Sequence, residues 1–566
     1  MDLYTSRLNA RRGEAQRLMA LEKRLSLARL AAVGLAIAAA ATNQYAAFGG
    51  MIAAFIILVV IHDRMVKRRV RAERTARFYE AGLERVNGTW SGKGVSGDSF
   101  KDDQHPYASD LDLFGRGSLF ELLCRAVTAA GQAKLAGWLT EPAASAAVIR
   151  ARQAEVVKLR DDVDFREAMA LAAGEAKEDL EHGRLESWAS APAVPYFAWE
   201  RAAALALPAL TIGSVVAALA GWNVLALLII AAAAQLFFAR SIAERVGRIV
   251  GGVERAEPAL AQLAGLLRLL ERRDEAAAIE RLRRLVGLLD ARRNQMFAPI
   301  AILLLWTTNL AARIERWRNL HGGGVVAWID AVAEKETLAS LASFAYENPT
   351  FTIPVIEDGG RRFEATVLGH PLIPADRRIC NDLRLDDGLG LLVVSGSNMS
   401  GKSTLLRSSG VASVLAFAGA PVCAGSLRIT PMSIGASIRI NDSLQEGASR
   451  FYAEILRIRQ ILELSRGTRP LLFLLDEILH GTNSHDRRIG AEAVVRRLVT
   501  NGAIGLVSTH DLALAEIADS LAPRAANVHF EDHLENGKMV FDYQMREGIV
   551  TRSNALALMR SVGIEV

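Results

Sequence analysis

Between Val393 and Ser408 the chain reads VVSGSNMSGKSTLLRS, and Gly396, Gly401, Lys402 and Ser403 fall on the spacing G-x-x-x-x-G-K-S/T. That spacing fits a loop built to cradle phosphates. The glycines let backbone N–H groups turn inward, and a helix beginning near Lys402 adds the partial positive charge of its N-terminus. Ser397, Asn398, Met399 and Ser400 complete the loop and Thr404 follows it; together these residues are the candidate ATP-binding set. Lys402 is suited to the β- and γ-phosphates and Ser403 to a Mg²⁺ ion. About 75 residues later comes LLFLLDEILHGTNSHD, an apolar run delivering Asp476 and Glu477 to a strand end. Asp476 suits the Mg²⁺ shell. Glu477 suits a general base, because a carboxylate must stand beside the γ-phosphate to take a proton from water. A third apolar run, GLVSTHD, ends in His510, a candidate γ-phosphate contact. The chemistry implied is Mg²⁺-dependent hydrolysis of a nucleoside triphosphate, with Glu477, His510 and Lys402 as the catalytic candidates and the nucleotide and Mg²⁺ as the bound species.

Elements must hold these residues in place. From about Pro349, short β-branched runs alternate with helical stretches, as in LGLLVVSG, TRPLLFLLDE and NGAIGLVSTH. That alternation predicts an α/β domain with parallel strands and crossover helices. The residues before it read differently. Ser118 to Leu159 places Leu119, Leu122, Leu123, Val127, Leu135, Trp138 and Leu139 at helical spacing. Ile242 to Arg293 reads as long leucine-and-charge helices that could be a lever, a bundle wall or a coiled-coil seam.

Two apolar blocks interrupt this helical half. Leu30 to Ile61 carries no charged residue, and a span needs about 20 apolar residues. Lys23, Arg24 and Arg29 precede it, and Arg64, Lys67, Arg68, Arg69, Arg71 and Arg74 follow. Basic residues on both flanks put both ends on the cytoplasmic side, which predicts a hairpin with Arg29 snorkelling. Ala202 to Ala239 is also free of charge and is broken at Gly221, Trp222 and Asn223, predicting a second hairpin. Met296 to Ala312 is shorter and reads as a buried or interfacial helix. The net charge of +5 suits nucleic acid or an anionic membrane surface without choosing between them. Cys124, Cys380 and Cys423 are far apart, which reads as reduced cytosolic thiols with no metal cluster. The charged N-terminus is too long in polar residues for a secretory signal.

The C-terminal half resembles the MutS family of mismatch-repair ATPases. SGSNMSGKSTLLRS resembles that family's phosphate loop, in which Asn398 and Met399 are characteristic. EGASRFYAEILRIRQIL is similar to its Ser-Thr-Phe segment, with Ser449, Phe451 and Glu454 on matching positions. LLDEILHGTNSHD, STHD, GHPLI at Gly369–Ile373 and the Asn381–Asp382 pair also match. Weaker likeness runs through SLFELLCRAVTAAGQAKLAGWLTEPAASAAVIRARQAEVVKL and EKETLASLASFAYEN, so that it covers most of 115–200 and 325–566. The resemblance implies a homodimer closing ATP between subunits. Ser449 would reach the partner's γ-phosphate, and the Thr482 and Asn483 loop would cross the same interface. It also implies that ATP moves the helical core as a lever. Departures are equally plain. The family's N-terminal mismatch-reading domain is not expected among these residues, and Phe78–Glu80 is expected to sit in a basic juxtamembrane helix. Where the family places an aromatic on adenine, this chain has Arg378, which can itself stack on a base.

The expected fold is therefore an α/β P-loop NTPase domain of ABC/MutS type at the C-terminus, with an all-α helical core and transmembrane hairpins before it. The expected units are a cytoplasmic segment 1–24, a transmembrane hairpin 25–62, a juxtamembrane linker 63–114, core helices 115–200, a second hairpin 201–240, lever-like helices and core return 241–345, and the ATPase domain 346–566. The expected protein is a multi-pass ATPase of the cytoplasmic membrane with its catalytic domain in the cytoplasm. Homodimer, lipid bilayer and DNA are its expected partners. An ABC-type transporter shares the loop and the Asp-Glu pair, but no Leu-Ser-Gly-Gly-Gln segment precedes Leu471 and the apolar blocks carry almost no ionisable group to line a path. A nucleotide-dependent membrane scaffold that binds no DNA is the third reading.

Overall fold

The computed structural model describes residues 2–143, 145–174, 182–254, 256–397, 399–439, 450–479, 483–510, 512–535 and 538–549. It opens with two long helices, α1 (Asp2–Ala41) and α2 (Tyr45–Val86), joined by a tight turn in which Asn43 has φ 56°. The charged N-terminal residues and the first apolar run are thus one continuous helix. At the apolar end Leu27, Leu30, Ile37, Ile56 and Ile57 are all more than half exposed. Arg29 lies 5.6 Å over the Phe55 ring, and Arg69 pairs with Glu22 at 2.7 Å where the apolar stretch gives way to charge. At the other end, Tyr4, Phe78, Tyr79 and Tyr346 form an aromatic cluster, with Tyr4 and Tyr79 5.4 Å apart. Tyr79 is fully buried there, so the Phe78–Glu80 stretch is core packing.

The segment after α2, expected as a linker to residue 114, differs from that reading. Tyr107, Leu111 and Leu113 are at most 2% exposed and pack into the core of the C-terminal domain. Buried Asp110 accepts hydrogen bonds from the Ile438 and Arg439 amides at 2.6 and 2.8 Å. Apolar side chains this well covered make the segment part of the domain rather than a tether.

Short helices follow: α3 (Leu119–Leu123), α4 (Ala129–Thr140), α5 (Ala146–Asp161), α6 (Val163–Ala173) and α7 (His182–Ser190). Ser118, Thr128, Ser145 and Asp162 cap the first four through side-chain oxygens. The second apolar block forms α8 (Ala198–Leu219) and α9 (Leu225–Gly251). Its outward residues, among them Leu219 and Phe237 at 84% and 77% exposed, face no other part of the described chain. By length and composition α1, α2, α8 and α9 are each long and apolar enough to cross a membrane.

The leucine-rich stretch becomes α10 (Glu257–Leu269) and α11 (Arg273–Asp290), which pack on each other. Leu260, Leu263, Leu267, Ile279, Leu282 and Val286 are buried within this one chain, so these residues pack in a bundle wall and not in a coiled-coil seam with a second copy. Met296–Ala312 is not one helix. It splits into α12 (Ala298–Leu303) and the start of α13 (Trp306–Glu347), broken at Leu305 with φ 46°. Gln235 of α9 closes the break by donating to the Leu303 carbonyl at 2.9 Å while accepting from Thr211 of α8. Helix α13 is the spine. It touches α7, α8, α9 and α11 near its start and α4, α5 and α2 further on, and it ends on the C-terminal domain.

That domain contains β1 (Val355–Ile356), β2 (Phe363–Leu368), β3 (Asn381–Leu385), β4 (Leu391–Ser395), α14 (Lys402–Ala418), β5 (Ser426–Ile429), β6 (Ser433–Ser437), α15 (Arg450–Leu464), β7 (Leu471–Asp476), α16 (Ser484–Thr500), β8 (Ile504–Thr509), α17 (Leu512–Ser520), β9 (Ala525–Glu535) and β10 (Lys538–Glu547). Its main sheet has the order β10-β9-β4-β8-β7-β6, parallel except for β10, and a smaller sheet runs β1-β5-β2-β3. Buried on both faces, β4, β7 and β8 read as nearly continuous apolar runs.

Candidate active site

Parallel register brings three separated sequences to one edge. Ser395 at the end of β4 pairs with Thr509 at the end of β8, and Asp476 at the end of β7 pairs with Ser508. The loop after β4, the Asp-Glu pair after β7 and His510 after β8 therefore lie side by side at the carboxyl ends of the strands, where open α/β sheets bind ligands.

The loop itself is shaped by its two glycines. Gly396 has φ 146° and Gly401 φ 110°, and a Cβ on Gly396 would stand 2.9 Å from the Phe530 carbonyl oxygen. Met399 also has positive φ and is 82% exposed. The buried hydroxyls of Ser397 and Ser400 have no hydrogen-bond partner among the described residues. Lys402, the first residue of α14, is 4% exposed. Its ammonium donates to the carbonyls of Gly396 and Ser397 at 2.7 and 2.9 Å and stands 3.5 Å from Glu477. Burial pushes its pKa below the usual lysine value, and the neighbouring carboxylates of Glu477 and Asp476 oppose that shift. Ser403 and Thr404 follow on the first turn, half-buried and exposed.

Glu477 sits at φ 46°, a conformation that a non-glycine residue adopts only when its surroundings impose it. Strand β8 supplies the constraint: the Glu477 amide donates to the Ser508 carbonyl and hydroxyl, each at 3.2 Å. The Ser508 hydroxyl in turn donates to Asp476. His510 Nδ1 lies 3.2 Å from the same Glu477 oxygen that faces Lys402. Leu479 also has positive φ, and its amide donates to the buried carboxylate of Glu454 on α15. Lys402, Asp476, Glu477 and His510 are thus one connected cluster. Ser508 was not singled out from sequence, because a serine inside an apolar strand carries no signal until its register against Asp476 is known.

The sequence that builds this site has a match. The family model for MutS domain V covers residues 392–565. The C-terminal domain is a MutS domain. Endonuclease MutS2 of Thermus thermophilus is 33% identical over 213 residues, 36% of this chain. The shared region is 27% of that relative's length.

Within the MutS domain the remaining candidates separate. Arg378 donates twice to the Ile373 carbonyl, at 3.0 and 2.6 Å, and its guanidinium lies 5.4 Å from the Phe351 ring centroid. An aromatic ring reaches the loop from elsewhere: Tyr543 of β10 would stand 3.3 Å from a Cβ on Gly401. The register between β10 and Asn381, whose side chain bonds the backbone of Tyr543 and Met545, holds it there. Asn483 caps α16, accepting from the Asp486 amide at 2.9 Å. Asn398, Ser449 and Thr482 lie outside the described residues. The Ser403 hydroxyl and the Asp476 carboxylate are hard oxygen donors of the kind Mg²⁺ takes, and the unpartnered loop hydroxyls leave acceptor and donor capacity for a phosphate chain.

Proposed function

We propose that this chain is a membrane-anchored MutS-type ATPase that closes ATP between two copies of itself and couples hydrolysis to DNA. The observation that carries the reading is the strand-edge cluster of Lys402, Asp476, Glu477 and His510. In it Lys402 and the loop amides would hold the phosphates, and Ser403 and Asp476 would hold Mg²⁺, which would supply neutralisation of phosphate charge. Glu477, clamped by β8, takes the proton of the attacking water, and His510 orients that carboxylate. Arg378 is the candidate adenine partner and Asn483, with Ser449 and Thr482, the candidate subunit crossing.

Two further supports are separate. MutS-family proteins are ATPases that act as dimers and bind DNA, and this is the ground for the DNA and dimer parts. The exposed apolar faces of α1, α2, α8 and α9 are the ground for the membrane part, since a single soluble chain rarely exposes so much contiguous apolar surface. The same helices favour the scaffold reading equally if DNA has no effect.

The deciding experiment measures the ATPase rate of the detergent-purified protein with no DNA and with duplex, mismatched and branched DNA, at low and moderate salt. Stimulation that falls with salt supports DNA coupling. ATPase activity indifferent to every DNA removes that part of the proposal and leaves the scaffold.

A further inference from the structure

A second cleft, which shares no lining residue with the strand-edge cluster, lies at the base of the α1–α2 hairpin. It has a volume of about 550 Å³, within the range of small-molecule sites. Arg74, Arg77, Phe78, Trp90, Lys93 and Arg125 line it. The carboxylates that share its wall are already engaged. Glu84 pairs with Lys93 at 2.7 Å, and Glu121 accepts the Gly94 and Gly117 amides at 2.9 and 2.6 Å. Arg125 spends one nitrogen on Glu347 at 3.3 Å while its Nε is buried without a hydrogen-bond partner. Among the described residues Arg74 and Arg77 have no ion-pair partner. The cleft therefore carries surplus positive charge, unsatisfied donor capacity and two aromatic rings, with Arg125 5.7 Å from the Phe78 centroid.

We propose that this cleft binds a soluble phosphorylated small molecule with a flat ring, of the mononucleotide class. Guanidinium groups match phosphate oxygens in geometry as well as charge. Trp90 and Phe78 add aromatic surface to the wall beside these cations, where a flat ring can pack. A lipid headgroup is the other source of phosphate, and distance argues against it. If α2 crosses the bilayer as proposed above, Arg74 lies about 20 Å along the helix from Ile61, at 1.5 Å per residue. The headgroup layer extends only about 5–8 Å beyond the hydrocarbon. The site would report to the MutS domain, because Arg125 and Arg85 both hold Glu347 at the end of α13.

The test is equilibrium binding of radiolabelled AMP, GMP, CMP and UMP, and of pyrophosphate, to the full-length protein in detergent. Three proteins are compared: the parent, Lys402→Ala, and Arg74→Glu with Arg77→Glu. The expected result is saturable mononucleotide binding that survives Lys402→Ala and weakens at least about tenfold in the double charge reversal, the scale of losing one charge-assisted contact. An unchanged far-UV circular dichroism spectrum and melting temperature in the double variant establish that it folds; if it does not fold, Arg77→Gln with Trp90→Leu takes its place. Binding that follows Lys402 instead, or no saturable binding at millimolar ligand, overturns the proposal. So does a double variant whose only loss is binding to vesicles containing anionic phospholipid, since that assigns the cleft to the bilayer.

Discussion

In the proposed hydrolysis, Glu477 is the residue on which the chemistry turns. Its carboxylate lies between Lys402 and His510, and its backbone is held in a strained conformation by Ser508. Glu477→Gln keeps the shape and removes the base. Expected is an ATP-hydrolysis rate lower by about 10²-fold or more, with ATP affinity retained. Rapid-quench kinetics together with equilibrium ATP binding checks this; normal turnover in that variant would remove Glu477 as the base. His370 gives a second residue-scale prediction. It is 7% exposed, and burial beside Arg407 and Arg378 pulls its pKa down from 6.5 to about 4. Its folded pKa is below its unfolded one, so between those values the unfolded chain takes up a proton that the folded chain does not. Stability is therefore lost as pH falls from about 6.5 to about 4, by about 3 kcal/mol from this group. Urea midpoints across that range should show a shallower fall in His370→Gln than in the parent protein.

Helix α13 is the element that joins the apolar bundle to the MutS domain, and two features of it stand out. Glu347 at its end is buried with Arg85 of α2 at 2.6 Å, their side chains 1% and 8% exposed. Glu347→Ala leaves that arginine buried without its partner, and a loss of about 3–5 kcal/mol is expected, read from chemical denaturation. Exchange of both residues for apolar ones should cost less than that, the remaining loss coming from Arg125, which also pairs with Glu347. Further up, Gly322, Gly323 and Gly324 are consecutive in a helix interior. Packing explains Gly322, where a Cβ would stand 2.6 Å from the Ala189 carbonyl oxygen. Nothing lies within 4 Å of a Cβ on Gly323. Gly323→Ala should therefore stabilise the helix by about 0.5–1 kcal/mol, whereas Gly322→Ala should destabilise it. Opposite shifts in melting temperature are the expected outcome; two shifts of the same sign would mean that the local fit at Ala189 does not decide them.

At the scale of the whole molecule, the apolar helices and the strand-edge cluster make two predictions. Two separate hairpins, α1–α2 and α8–α9, each expose apolar faces. The protein should stay with membranes through an alkaline carbonate wash, and deletion of residues 25–62 alone should not release it. Release by the wash alone would end the membrane reading. For the dimer, Glu477→Gln with ATP should shift the detergent-corrected mass by light scattering to that of two chains, and ADP should not. A mass of one chain under both nucleotides would remove closure between subunits.

How much of this was written in the sequence depends on the range of the interaction. The phosphate loop, the Asp476–Glu477 pair and the alternating strands and helices were legible because each is a local pattern: glycine spacing, an apolar run, a strand end. The charge-free blocks were legible for the same reason, and they form α8, α9 and the apolar halves of α1 and α2. What tertiary structure alone decided involves residues distant in the chain. Residues 107–113 pack against the C-terminal domain because Leu111 and Asp110 meet partners some three hundred positions away. The leucine stripes of α10 and α11 face their own chain and not a second copy, a choice that periodicity cannot encode. Ser508 holds Asp476 and Glu477 only through the register of β7 against β8. Arg378 is tied to Ile373 and Phe351, while Tyr543 approaches the loop from the far end of the domain. Sequence spacing records what a residue can do, and the packing of remote segments determines which partner it meets.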